Sequence, residues 1–304
     1  MRFYFVITII IVALICQGCF SEVESTPKIS YKPSSNHDDN HKESLISNIS
    51  NVPFKNWAQG KLFHVTDNKA CLAFHSNNNI DSLCGTTLTY IGYKVNPSIT
   101  GSSSTNLYFT TNDGDSISYH INASHEELIK RNNLEIPFLV QQSLIDDINN
   151  KLSNKNLFIL SQAWYNIDGK QASGKKFVPI TIIKVEVGNA IYPIKVIFSD
   201  DEKNTFFTYM TIGNEFQTTR NFETIFSTYN PHDNYPHIDK DTWKLITIGM
   251  IKIGMTQEEC QLSIGNPANV IIEETSSPEI IKRWEYDNGY ILYFENGILK
   301  EYKQ

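Results

Sequence analysis

His232, Asp233, His237 and Asp239 stand in one short stretch, and each side chain can ligate a divalent metal through an imidazole nitrogen or a carboxylate oxygen. A metal held there would serve a hydrolase by activating bound water. Pro231 and Pro236 interrupt the stretch, so no helix sets the four residues at ligand spacing. It reads as a linker with solvated side chains, and no metal site is expected. A second cluster, His37-Asp38-Asp39-Asn40-His41, lies in a tract too poor in apolar residues to hold a ligand shell rigid. Ser173-Gly174-Lys175-Lys176 reads as a basic loop tip. No pair of carboxylates and no Ser–His or Cys–His set can be placed in space; Cys71 with His64 or His75 is mere proximity in sequence. Neither a glycine-rich phosphate loop nor a Gly-x-Ser-x-Gly elbow occurs. The expectation is a protein that is not an enzyme, with no catalytic residues and no cofactor. Lys and Arg number 26 against 33 Asp and Glu, a net charge of −7 with no long basic run. Nucleic acid is therefore not an expected partner, because phosphate neutralisation needs clustered cations.

The cysteines are Cys16, Cys19, Cys71, Cys84 and Cys260. Cys71 and Cys84 form a candidate disulfide in an oxidising compartment, closing a short loop worth about 3 kcal/mol in the chain-entropy account. The alternative is two reduced thiols within a core. The apolar run 3–16 follows Arg2 and is shorter than the ~20 residues of a spanning helix. It suits the apolar region of a signal peptide over 1–18, cut near Cys19 or Ser21. Cys16-Gln17-Gly18-Cys19 resembles the lipobox of bacterial lipoproteins, with Cys16 where Leu is usual and Gln17 where a small residue is usual. The resemblance implies that Cys19 becomes the acylated first residue of the mature chain and that a membrane is one partner. The lack of Asp after Cys19 implies the outer membrane of a bacterial cell envelope. Residues 19–53 then form a tether, because their Ser, Asn, Pro, Lys, Glu and His content cannot offset the entropy of ordering.

Beyond the tether the chain reads as α+β, mostly β. A first β module spans 54–136, a linking helix and second β module span 137–238, and an α/β unit spans 239–304. Asp113-Gly114 and Gly188-Asn189, set between alternating apolar runs, mark tight hairpins. Ser124-His125-Glu126-Glu127 is a capping box. Val140, Leu144, Ile145, Ile148 and Leu152 make the apolar stripe of one helix. Lys94-Val95 and Lys184-Val185, Phe109 and Phe198, and Tyr119 and Tyr209 recur at a spacing of about 90 residues, which suggests a duplicated β module. Small units of five or so twisted strands are expected to close as SH3-like barrels.

The C-terminal unit has the sharpest local signals. Thr256 and Glu259 form a capping box, Met255 and Cys260 a hydrophobic staple, and Gly265 with Pro267 ends the helix. Asn288-Gly289 and Asn296-Gly297 join alternating strands into a meander. Ile253-Gly254-Met255-Thr256, Gly265-x-Pro267, Trp284-x-Tyr286 and Tyr293-Phe294-x-Asn296-Gly297 resemble the SmpA/OmlA/BamE-like domain of outer-membrane lipoproteins. That resemblance implies two helices on a three-stranded sheet and a non-enzymatic role beside an envelope protein partner. The leader, tether and acidic multi-module build together resemble Bacteroidetes envelope lipoproteins. Trp57, Trp164, Trp243 and Trp284 are candidate interaction residues, as anchors if exposed and as core if not. Two other readings remain open: a cell-wall peptidoglycan binder using Tyr and Trp surfaces, and a metal-dependent hydrolase using His232 and His237.

Overall fold

Alternating apolar residues assemble three antiparallel sheets, of six, seven and four strands, in a computed structural model that describes residues 45–76, 82–97, 103–131, 133–212, 220–273 and 280–304. The leader, Cys19 and the His37–His41 cluster lie outside the described residues.

The first sheet contains β1 (Leu62–Val65), β2 (Phe74–Ser76), β3 (Thr87–Asn96), β4 (Ser104–Thr110), β5 (Ser116–Ile121) and β6 (Leu139–Gln141), in the order β2-β5-β4-β3-β1-β6. Helices α1 (Ala70–Ala73) and α2 (His125–Lys130) lie between its strands, and the expected capping box of Ser124 and Glu127 opens α2. Phe63, Leu88, Leu107, Phe109 and Ile117 fill its core. Helix α3 (Gln142–Leu152) leads into the second sheet and buries Leu144, Ile145, Ile148 and Leu152 against it. That sheet holds β7 (Asn156–Ile159), β8 (Ala163–Asn166), β9 (Gln171–Ser173), β10 (Val178–Val187), β11 (Ile194–Ser199), β12 (Thr205–Met210) and, after helix α4 (Phe222–Ile225), β13 (Phe226–Ser227). Its order is β13-β7-β10-β11-β12-β8-β9.

The two units share one plan. The series β1-β3-β4-β5-β2 and β7-β10-β11-β12-β8 are the same order, and α2 and α4 each lead to a short strand beside β1 or β7. The equivalent ten-residue strands β3 and β10 each bulge at one place, between Tyr90 and Gly92 in β3 and between Ile182 and Lys184 in β10. Tyr90 faces Phe109 and Ile182 faces Phe198, so the two phenylalanines are equivalent. Tyr119 and Tyr209 are not, for Tyr119 pairs with Leu107 on the core face while Tyr209 pairs with Lys195 on the outer one.

The expected SH3-like modules do not form. The bulged strands β3 and β10 support sheets of six and seven strands, in which β6, β9 and β13 add pairings beyond a five-strand unit. The C-terminal expectation is overturned as well. Helices α5 (Lys240–Thr247) and α6 (Gln257–Ile264), each of eight residues, precede β14 (Asn269–Glu273), β15 (Ile281–Glu285), β16 (Ile291–Glu295) and β17 (Ile298–Lys303). The sheet therefore has four strands rather than three, and its core takes in Phe177 from the second unit, so a BamE-like two-helix domain is not what the chain makes.

Phe177 is the clasp between these units. Its φ is 60°, a left-handed conformation unusual for a bulky residue. Its N–H donates to the Ile159 carbonyl at 2.6 Å, and its ring meets Trp243 edge-on at 5.9 Å. Beside it Lys176, expected at a solvated loop tip, is only 4% exposed. Its Nζ donates to the Ser263 carbonyl at 2.6 Å, in the last turn of α6, where the helix dipole favours a cation. Burial lowers the Lys176 pKa from 10.5 to about 8. Between those two values the unfolded chain binds the extra proton, so this residue's contribution makes stability rise with pH from about 8 to 10.5. Urea titrations of Lys176→Met and the parent protein should show the parent gaining on the variant by on the order of 3 kcal/mol across that window. A difference that stays flat would contradict a buried ammonium.

Candidate interaction surface

The four linker residues offered as metal ligands take up separate structural tasks. The His232 ring stacks on Trp243 at 3.9 Å, and burial holds its pKa below the ordinary imidazole value. Asp233 accepts from Asn230 Nδ2 at 3.2 Å. His237 pairs with Glu258 of α6 at 2.8 Å. Asp239 caps α5, its Oδ1 accepting the N–H groups of Asp241 and Thr242 at 2.8 and 3.0 Å, and those bonds lower its pKa. Among the described residues no group of three or more His, Cys, Asp or Glu side chains is arranged to hold a metal ion.

The tryptophans are structural. Trp164, Trp243 and Trp284 are buried, the first in the core of the second sheet and the other two in that of the third. Trp57 is half-buried; it packs on Phe54, Phe63 and Tyr90, and its Nε1–H donates to the Val52 carbonyl at 2.8 Å. None of the three buried rings is available as a surface anchor. Cys71 and Cys84 carry free thiols, so the bonded arrangement of this pair is not the one seen. Both backbones bond to Asn68, the Cys71 N–H to its carbonyl at 2.9 Å and the Cys84 N–H to its Oδ1 at 2.8 Å. Cys260 is buried, and its thiol pKa is pushed up to about 12 by burial.

Two sheet surfaces among the described residues are candidate places for a partner. One is the outer face of the second sheet, where Tyr165 stacks on Phe207 at 5.3 Å and Phe207 meets Tyr209 edge-on at 5.2 Å. That face is already satisfied by its own side chains. The Lys195 ammonium lies over the Phe207 ring at 4.5 Å and pairs with Glu186 at 3.4 Å, leaving Phe207 2% exposed.

The other is the β14 edge of the C-terminal sheet. A sheet edge exposes unpaired N–H and C=O groups, and proteins blunt such edges with short strands or charges. The six-stranded sheet ends in β2 and β6, three residues each, and the seven-stranded sheet ends in β9 and β13, three and two residues. β17 is longer but carries Lys300, Glu301 and Lys303, with Lys300 paired to Glu295 at 3.3 Å. β14 is longer than β2, β6, β9 and β13, and its three central residues carry no charge. It runs five residues as Asn-Val-Ile-Ile-Glu, and among the described residues it pairs with β15 alone.

Register fixes which face its side chains share. Val270 lies opposite Trp284, which lies opposite Leu292, and Ile272 lies opposite Lys282, which lies opposite Phe294. Directly opposed residues share a face. Val270 and Ile272 thus continue the core-bearing face beyond Trp284, Leu292 and Phe294, yet they are 54% and 65% exposed. Sequence alone gives this strand no role. The available signal was three consecutive apolar residues, Val270-Ile271-Ile272, where an edge strand with one solvated face should alternate. No protein family, no curated protein and no solved structure matches this chain.

Proposed function

We propose that the chain is a lipid-anchored protein of the bacterial cell envelope, held on the outer membrane at Cys19, which catalyses no reaction and acts as an accessory by docking an envelope protein. The observation that carries the docking is β14, a five-residue edge with three central apolar residues, where the other sheet edges among the described residues are short or charged. The anchoring rests on the apolar leader and on Gly18-Cys19. Acyl chains contribute ~0.8 kcal/mol for each buried methylene, so several chains on one cysteine suffice to hold a protein at a membrane.

Affinity purification from detergent-solubilised envelopes is expected to recover a defined protein in stoichiometric amount. The Val270→Lys, Ile272→Lys double variant is expected to lose it. Recovery of lipid alone contradicts the proposal. Cosedimentation with purified peptidoglycan in place of a protein partner would favour the cell-wall reading.

A further inference from the structure

Building on that reading, we infer that the partner supplies an extended segment that adds to the C-terminal sheet as a further strand beside β14. In an antiparallel ladder a strand's amide and carbonyl groups point alternately to its two sides, so β14 spends part of them on β15 and presents the rest outward. Asn269, Val270 and Ile272 are exposed, so an approaching strand can reach this edge. An added strand would satisfy the outward groups, and main-chain bonds of this kind carry affinity with little demand on sequence.

The side chains set the pattern the segment must have. On one face its alternate residues would lie beside Val270 and Ile272, next to Trp284, and burying them there favours Val, Ile or Leu. On the other face Ile271 lies opposite Arg283, whose Nε pairs with Glu285 at 3.1 Å, so the intervening residues face a polar, ion-paired surface. The fitting occupant is a short stretch of alternating apolar and polar residues.

A second copy of this chain fits less well. Pairing β14 with its own counterpart about a two-fold axis would join two strands of ~17 Å, burying a few hundred Å². Stable association of two folded proteins needs roughly 1,200 Å² or more. An extended segment can add residues beyond β14 and meet the edge along its whole length, so its main-chain bonds offset the entropy of ordering it.

The test is fluorescence anisotropy with the full chain in detergent and a labelled peptide alternating valine and threonine, flanked by lysines for solubility. Saturable binding in the micromolar range is expected. It should weaken at least about tenfold with Val270→Lys, Ile272→Lys. Methylating alternate peptide nitrogens, with the protein unaltered, should abolish binding on one methylation phase, since those N–H groups join the ladder. Absence of peptide binding while the envelope protein is still recovered would overturn strand addition and leave the docking proposal standing. Equal binding of both methylated peptides would also overturn it. So would sedimentation showing a dimer that the lysine substitutions dissolve, because the occupant would then be a second copy.

Discussion

Phe177→Ala is expected to lower the unfolding free energy by about 3–5 kcal/mol, the usual cost of removing a buried aromatic ring. The ring belongs to the C-terminal core although its backbone belongs to the second unit, where its N–H bonds to Ile159. Deleting it would open a cavity beside Trp243 and weaken the attachment between the two units. Phe177→Gly makes the cause testable. Glycine loses the ring equally but accepts the positive φ without steric cost, so it should be no worse than alanine and better by as much as ~1 kcal/mol. Urea denaturation followed by tryptophan fluorescence reads both values. A loss below ~1 kcal/mol for alanine would mean that Phe177 does not join the units.

Cys19→Ser should move the protein from the membrane pellet to the soluble fraction. The serine hydroxyl cannot take the thioether-linked lipid. The full chain's net charge of −7 gives no overall attraction to anionic headgroups. Among the described residues no helix is long and apolar enough to cross a membrane. One acyl chain alone gives only marginal, reversible attachment, so the parent protein should resist a high-salt wash only if Cys19 carries more than one. Serine variant retained in the pellet after such a wash would place the anchor elsewhere.

What could be read in advance was local. The capping boxes at Ser124 and Thr256, the stripe of α3 and the Asn-Gly turns of the C-terminal meander each depend on residues a few positions apart. The shared plan of the first two units also left a trace, since Phe109 and Phe198 occupy one position. Tyr119 and Tyr209 misled because a slip of one residue sends a strand's side chains to the opposite face, and spacing alone does not carry register.

Long-range packing left no comparable trace. Nothing near Lys176 in sequence announces that α6 supplies Ser263 as its acceptor, some 90 residues on. The linker's own pattern predicts solvated histidines, and the contacts they make instead, His232 on Trp243 and His237 with Glu258, depend on residues distant from that pattern. The C-terminal motif held as local signals but not as the family fold it suggested, since Gly265-x-Pro267 ends a helix whatever pairs beyond it. The proposed docking edge, β14, is the first strand of that sheet.

A photoreactive amino acid placed at position 272, and in a second strain at position 300, would compare the two ends of this sheet in living cells. The account predicts a single discrete adduct from position 272 and none from position 300, because Lys300 sits on the charge-protected edge. Equal labelling from both positions, or none from 272, would contradict docking at β14.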